Sequence, residues 1–378
     1  MTGERSGAGR TCIVLGSYAP SLIHFRGSLI AELVRRGYKV VAMAPEIGAD
    51  VRGQLAALGA EAAEVPLTRD SLSPAAMAGS LRALTRAFRE IRPDAVIAYT
   101  VKPVTLGAIA ARKAGVPTFV ALVTGLGFAF VEGRETKRRI SRIAATWLYR
   151  AAFRLSRIAI FQNPDDRDFF RARRILPRGA KTALVNGSGV DIDAFAPAPL
   201  TEEPTFLMIA RLLGDKGVRE YGRAAARLKA KYPHAQFRLV GWLDPSPDSI
   251  GQAALDEMVA GGVDFLGKLD DVRPAIAAAN VYVLPSYREG TPRSVLEAMA
   301  MGRPVVTTDA PGCRQTVEHG RNGLLVPPRD DRALEAAMEH FIRTPGAIAA
   351  MGAESRALAE ERFDVRKVNA ALLEAAGL

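Results

Sequence analysis

Residues Asn280–Asp309 read NVYVLPSYREGTPRSVLEAMAMGRPVVTTD. The apolar run Val281 to Leu284 stops at Pro285, the pattern of a short strand buried on both faces of a parallel sheet. Pro292 to Met301 holds helix formers behind a proline suited to a first helical turn. A strand, a loop and a helix are therefore expected in that order. With Glu289 in the loop and Glu297 two turns inside the helix, their carboxylates would lie roughly 10 Å apart. The backbone N–H groups of Gly290, Thr291, Arg293, Ser294 and Val295, on either side of Pro292, which has none, would crowd the positive helix end and favour an anion such as a diphosphate. On spacing alone the plainer alternative, a solvated loop glutamate and an ordinary helix-face glutamate, stays open.

Working outward, the same alternation of short β-type runs and helical patterns covers the chain. Before this stretch come Thr205–Ile209, Gln236–Val240 and Val263–Leu266, and Pro304–Thr307 lies within it. The first half repeats the scheme with Thr11–Leu15, Lys39–Ala44, Ala95–Tyr99, Phe119–Val123, Ile158–Phe161 and Thr182–Val185, and with helices near Phe25–Arg36 and Asp50–Leu58. Strands alternating with helices imply parallel, doubly wound α/β sheets, whose ligands sit at the carboxyl ends of the strands. The passage Asn186–Asp191 followed by the proline-rich Pro197–Pro204 marks a domain boundary. The expected division is 1–190, 191–360 and a C-terminal helix, 361–378, returning to the first domain.

A length of 378 residues exceeds one ordinary core and agrees with two domains. No apolar run reaches the ~18 residues that span a bilayer, and Met1–Arg10 has no signal-peptide apolar region, so a cytoplasmic protein is expected. Cys12 and Cys313 lie in different halves and the four histidines are scattered, so packing is the expected role of the thiols and no metal cluster is expected. The net charge of +11 is unevenly divided: residues 1–190 hold 29 Lys and Arg against 14 Asp and Glu, and the remainder holds 22 against 26. The basic first half implies an anionic partner, either a membrane surface or a phosphorylated acceptor. Nucleic acid is the weakest candidate, because no aromatic interleaving, zinc spacing or RNA-recognition signature accompanies the charge. Much of the excess sits in Arg134–Arg157, a basic amphipathic stretch carrying Ile140, Ile143, Trp147, Leu148, Phe153 and Leu155. It either rests on anionic lipid or covers one sheet face with its arginines in water.

The loops after strands supply the remaining candidates. Gly16 follows the first strand and Arg26 opens the next helix; Lys102 follows Tyr99, and Thr124-Gly125 follow Val123. In the second half, Arg211 and Lys216 follow Ile209, where a forked guanidinium and an ammonium could neutralise a departing diphosphate.

These residues resemble the retaining nucleotide-sugar glycosyltransferases of family 4, which have the GT-B fold of two Rossmann-like domains facing across a cleft. The carriers are the Arg211-x4-Lys216 pair, the Glu289-x7-Glu297 motif, and the segments Tyr99–Pro103, Thr124–Phe128, Asn186–Asp191 and Arg288–Ala300. The narrower likeness is to bacterial diphospho-undecaprenol N-acetylgalactosaminyltransferases. The resemblance implies a UDP-sugar donor, a UDP-N-acetylhexosamine, on the second domain and a polyprenyl-diphosphate-linked acceptor on the first. Arg211, Lys216 and Glu289 would carry catalysis, with the two cations on the diphosphate and Glu289 on the donor sugar. Glu297 would hold the ribose, residues 290–295 the donor, Leu266 and Lys268 the base, and Arg26, Lys102, Thr124 and Gly125 the acceptor. No cofactor or metal is expected, since the two cations would replace it, and the enzyme would sit peripherally on the inner face of the membrane. Gly16 is the candidate for a donor-phosphate contact from the first domain, although it stands where many members have two adjacent glycines, and no histidine lies between His24 and His234 to meet the donor sugar. Rival readings are a GT-B epimerase or phosphorylase, a transferase with a soluble acceptor, and a non-catalytic subunit holding nucleotide sugar or lipid.

Overall fold

A computed structural model describes residues 9–67, 73–126, 136–246 and 248–378, with the side chains of 136–141 outside the description. The chain divides into two units, residues 1–188 with 368–378, and residues 189–367, where the sequence suggested 190 and 360.

In the first unit seven parallel strands run β1 (Thr11–Leu15), β2 (Lys39–Ala44), β3 (Glu61–Glu64), β4 (Ala95–Tyr99), β5 (Thr118–Val123), β6 (Ile158–Phe161) and β7 (Thr182–Leu184). Their order is 3-2-1-4-5-6-7. Successive strand residues face opposite sides, so Ile13, Leu15, Val96 and Ala98 join one core while Cys12, Val14, Ile97 and Tyr99 join the other. Both sides are apolar because helices cover both faces. Val368, Leu372, Leu373 and Ala376 of the C-terminal helix (Val365–Ala376) pack into the Cys12 side.

The second unit has six parallel strands, β8 (Thr205–Ile209), β9 (Gln236–Val240), β10 (Val263–Gly267), β11 (Val281–Leu284), β12 (Val305–Thr308) and β13 (Gly323–Val326). Their order is 10-9-8-11-12-13. The four residues of β11 are each no more than 2% exposed, as a central strand demands. Both sheets reverse direction beside their first strand, between β1 and β4 and between β8 and β11, and a crevice opens at such a switch point. The loops after those four strands are Gly16–Ala19, Thr100, Ala210–Gly217 and Pro285–Pro292.

Two edge strands were not read from the sequence. β3 is EAAE, short and half charged, and β13 begins on Gly323, where a Cβ would lie 1.9 Å from the Val305 carbonyl oxygen of the neighbouring strand. Both cysteines are buried, and loss of solvation pushes each thiol up to about 12, which suits packing.

Candidate active site

The loops after β8 and β11 are stitched together. Leu212 and Leu213 are buried and anchor a 3-10 turn, Gly214–Lys216. The Asp215 carbonyl accepts from the Tyr287 backbone N–H at 2.8 Å and the Ser286 hydroxyl at 3.2 Å. Gly217 closes the turn at φ +72, and its missing side chain is a requirement, since a Cβ would lie 2.2 Å from the Pro285 carbonyl oxygen. Under the second loop, Glu289 N–H donates to the Pro311 carbonyl at 2.9 Å. The result aims Lys216 at Glu289: the ammonium donates to Oε1 at 2.6 Å, with side chains 15% and 17% exposed.

Burial pulls the Lys216 ammonium down, but the Glu289 and Asp215 carboxylates outweigh that and leave its pKa raised, so it stays charged. Burial pushes the Asp215 carboxyl up, against the pull of Lys216, and Asp248 and Glu289 add to the rise. Asp248 also holds the turn, accepting from the Asp215 N–H at 2.9 Å. Glu297 lies on the helix Arg293–Ala300, buried and paired with Arg293 at 2.7 Å. Burial raises its pKa despite that arginine.

The helix start differs from expectation. Pro292 stands just before the helix in extended conformation, φ −73 and ψ 112, instead of in the first turn. The Val295 N–H donates to the Pro292 carbonyl at 3.2 Å, so it is not open to an anion. Ser294 uses its hydroxyl on the Ile209 carbonyl at 3.4 Å, and Thr291 uses its own on the Gly290 carbonyl at 2.9 Å.

Arg211 sits at the same sheet edge, 42% exposed, with Nη1 3.1 Å from Oδ2 of Asp244. Asp244 belongs to the loop after β9, as does Trp242, whose carbonyl accepts from the Leu212 N–H at 3.1 Å. Lys268 is exposed after β10, its ammonium 5.7 Å from the centre of the Trp242 ring, and Leu266 is half-buried against the core. Sequence reasoning missed Asp244 and Trp242. Their one signal was position at the carboxyl end of a strand next to β8.

In the first unit the Gly16 N–H donates to the Met43 carbonyl at 2.9 Å, and a Cβ there would meet the Tyr99 hydroxyl at 2.4 Å. This glycine serves close packing, and its amide is not open to a phosphate, contrary to expectation. Arg26 is 3% exposed, its guanidinium 5.0 Å from the Tyr99 ring centre, so it belongs to the packing of that edge and is no exposed acceptor contact. Lys102 lies in the first turn of the helix Val101–Ala114, behind Thr100, which takes the strained φ of +68. Thr124 and Gly125 are half-buried after β5, while Gly127 and Phe128 fall outside the described residues, as does Arg134.

The basic stretch forms the helix Thr136–Leu155. Ala145, Tyr149, Ala152 and Phe153 face the core, while Ile143 and Trp147 are 53% and 61% exposed. Arg150 places its guanidinium 5.3 Å from the Trp147 ring centre.

Among the described residues, no three His, Cys, Asp or Glu side chains converge as a metal site would need. The Asp-x-Asp spacing does occur twice, and both are tied into the fold. Asp191 caps the Asp193 and Ala194 N–H groups at 3.0 Å and Asp193 pairs with Arg366 at 3.1 Å. Asp166 is bonded to Asn163 through its backbone at 2.7 Å and its carboxylate at 3.1 Å, with Asp168 2.9 Å from Arg167.

Comparison with known proteins matches residues 25–187 to the glycosyl transferase 4-like domain and residues 203–344 to the glycosyl transferases group 1. A Campylobacter jejuni N,N'-diacetylbacillosaminyl-diphospho-undecaprenol alpha-1,3-N-acetylgalactosaminyltransferase is 30% identical over 83% of this chain and 84% of its own. An Escherichia coli UDP-Gal:alpha-D-GlcNAc-diphosphoundecaprenol alpha-1,3-galactosyltransferase is 29% identical over 66% of this chain and 67% of its own. Sucrose-phosphate synthase from Thermosynechococcus elongatus has the same fold at a TM-score of 0.80, 20% identity, 97% of this chain and 98% of its own. Two parallel-sheet units, cations and carboxylates at the β8/β11 switch point and a relative at this identity and coverage agree: the chain belongs to the group 1, family 4 glycosyltransferases of GT-B fold.

Proposed function

We propose that this glycosyltransferase moves an N-acetylhexosamine from a UDP-sugar to a polyprenyl-diphosphate-linked saccharide, with retention at the anomeric carbon. The observation that carries the donor reading is the Lys216–Glu289 pair at 2.6 Å with Arg211 on the same sheet edge. An ammonium has three donors, so Lys216 can keep Glu289 and still reach a phosphate. The acceptor reading rests on two relatives whose names carry diphospho-undecaprenol sugars, and on the basic first unit.

In the proposed reaction the acceptor hydroxyl attacks the anomeric carbon on the face that the leaving group departs. The bond from that carbon to the diphosphate breaks, and the acceptor proton passes to the departing phosphate oxygen. UDP gains charge as it leaves, and Arg211 and Lys216 stabilise that charge more than they stabilise the bound donor. Glu297 accepts from the ribose hydroxyls, Glu289 from the donor sugar, and Leu266 and Lys268 flank the base. Lys102, Thr124 and Gly125 remain the proposed acceptor contacts. The two cations make a divalent metal unnecessary, and the acceptor lipid places the enzyme peripherally on the cytoplasmic side of a membrane.

The test is UDP release by the purified chain with a short-chain polyprenyl-diphosphate N-acetylhexosamine acceptor, followed by NMR of the product linkage. Release that depends on the acceptor and gives the donor's own anomeric configuration is expected. Inverted product would overturn retention. Donor binding without transfer, over a panel of UDP-sugars and acceptors, would favour the binding-subunit reading.

A further inference from the structure

Trp242 is 43% exposed at the carboxyl end of β9, an unusual place to leave an indole in water. Its backbone is fixed. The carbonyl accepts from Leu212 N–H at 3.1 Å, and the preceding Gly241 N–H donates to the Gly267 carbonyl at 2.9 Å. Position 241 must be glycine, since a Cβ would lie 2.0 Å from the Ala210 carbonyl oxygen. The backbone that carries the indole is thus tied on one side to the residue after Arg211 and on the other to the loop Leu266–Lys268, whose ammonium stands 5.7 Å from the ring centre.

The sheet order β10-β9-β8 therefore sets out Lys268, Trp242 and Arg211 along one edge, a flat aromatic face between two cations. A nucleoside diphosphate has the matching chemistry, a planar base at one end and two phosphates at the other. We propose that Trp242 is the platform on which the donor's nucleobase stacks, a role that rests on the donor reading above and adds a residue to it. Every base has a π-face, so stacking supplies affinity without selecting the base. Selection falls to hydrogen bonds from the neighbouring loop. Lys268 meets the ring by a cation–π contact.

Two tryptophans, Trp147 and Trp242, make the experiment direct. UDP should quench the parent's fluorescence saturably, and Trp242→Phe, which keeps Trp147 as its one indole, should lose that quench. By calorimetry Trp242→Ala should bind UDP about tenfold or more weakly, while Trp242→Phe recovers most of the affinity. In turnover, Trp242→Ala should raise the donor KM with kcat changed little, because the base is remote from the reacting bond. Inorganic diphosphate should compete with UDP without quenching. Parent-like UDP affinity in Trp242→Ala overturns the platform. The donor reading is separated from it by Lys216→Ala: if that variant loses UDP affinity while Trp242→Ala does not, only the platform falls. If the parent binds no nucleoside diphosphate, both fall.

Discussion

The Lys216 ammonium lies 2.6 Å from the Glu289 carboxylate, joining the loops after β8 and β11 across the switch point of the second sheet. Removing the lysine takes a cation from the proposed diphosphate leaving group and also leaves a mostly buried carboxylate without its ion-pair partner. Lys216→Ala should cut kcat at saturating donor about a hundredfold or more and should cost about 1–3 kcal/mol of stability. Arg211 is 42% exposed, so Arg211→Ala should show a similar kinetic loss with stability changed by less than about 0.5 kcal/mol. Urea unfolding beside steady-state kinetics checks both. Near-parent turnover in either variant would remove the diphosphate assignment.

The loop carrying Glu289 depends on a glycine behind it. Gly312 takes φ +82, and a Cβ there would lie 2.1 Å from the Glu289 carbonyl oxygen. Gly312→Ala should displace Glu289 and reduce turnover about tenfold or more, and the strain should destabilise the protein by about 1–3 kcal/mol. Full activity in this variant would show that the loop tolerates the shift and that Glu289 needs no fixed position.

Glu297 gives a pH dependence with a definite sign. Burial raises its native pKa above the ordinary 4.5, so it takes up a proton at a higher pH than a free glutamate does. On the proposed ribose contact, the carboxylate would stop accepting from the donor as pH falls through the native value, and the donor KM should rise on the acid side. Glu297→Gln should lack that limb. For stability the same shift runs the other way: protonation favours the folded state, and this group's contribution declines as pH rises through the native pKa. An unchanged acid limb in Glu297→Gln would assign the titration elsewhere.

Much of this site was legible because its members are close in sequence. Arg211 and Lys216 share one loop, and Glu289 and Glu297 share one strand-loop-helix passage, so spacing could find them. Asp244 and Trp242 come from a different strand, 33 and 31 positions from Arg211, and no local spacing links them; only the β9–β8 adjacency does. The central strands were all read, because burial on both faces makes them apolar. The two that escaped are short edge strands whose sequence is half charged or opens on glycine, where burial imposes little pattern. Gly16 and Arg26 were read as ligand contacts from their place after a strand. Packing against Tyr99 claims both of them, and sequence position carries no information about that packing.

Turnover should survive a chelator. The proposed cations neutralise the leaving group without a divalent ion, and the Asp191 and Asp193 carboxylates are already bound to backbone and Arg366. Activity lost in chelator and restored by magnesium or manganese would overturn this.

The last prediction concerns the basic helix Thr136–Leu155, which has a buried face and an exposed one. Tyr149 and Phe153 meet Phe170 edge-to-face at 5.0 and 5.5 Å between ring centres, so the inner stripe is spent on the core. Ile143 and Trp147, one turn apart, point outward, and Arg150 lies over the indole. An exposed Trp and Ile among arginines suit the headgroup region of an anionic bilayer, where the indole and isoleucine enter the boundary and guanidinium groups meet lipid phosphates. At ~0.15 M salt the Debye length is about 8 Å, so only charges held near the headgroups contribute and binding should be reversible. The protein should sediment with anionic vesicles at low salt, release at high salt and bind neutral vesicles poorly. Trp147→Ala should weaken the salt-resistant fraction, and glutamate at Arg138, Arg139 and Arg142 should weaken the salt-sensitive one. Both should leave turnover on a short, soluble acceptor analogue near the parent value. Vesicle binding unchanged in both variants would place the membrane face elsewhere on the basic unit.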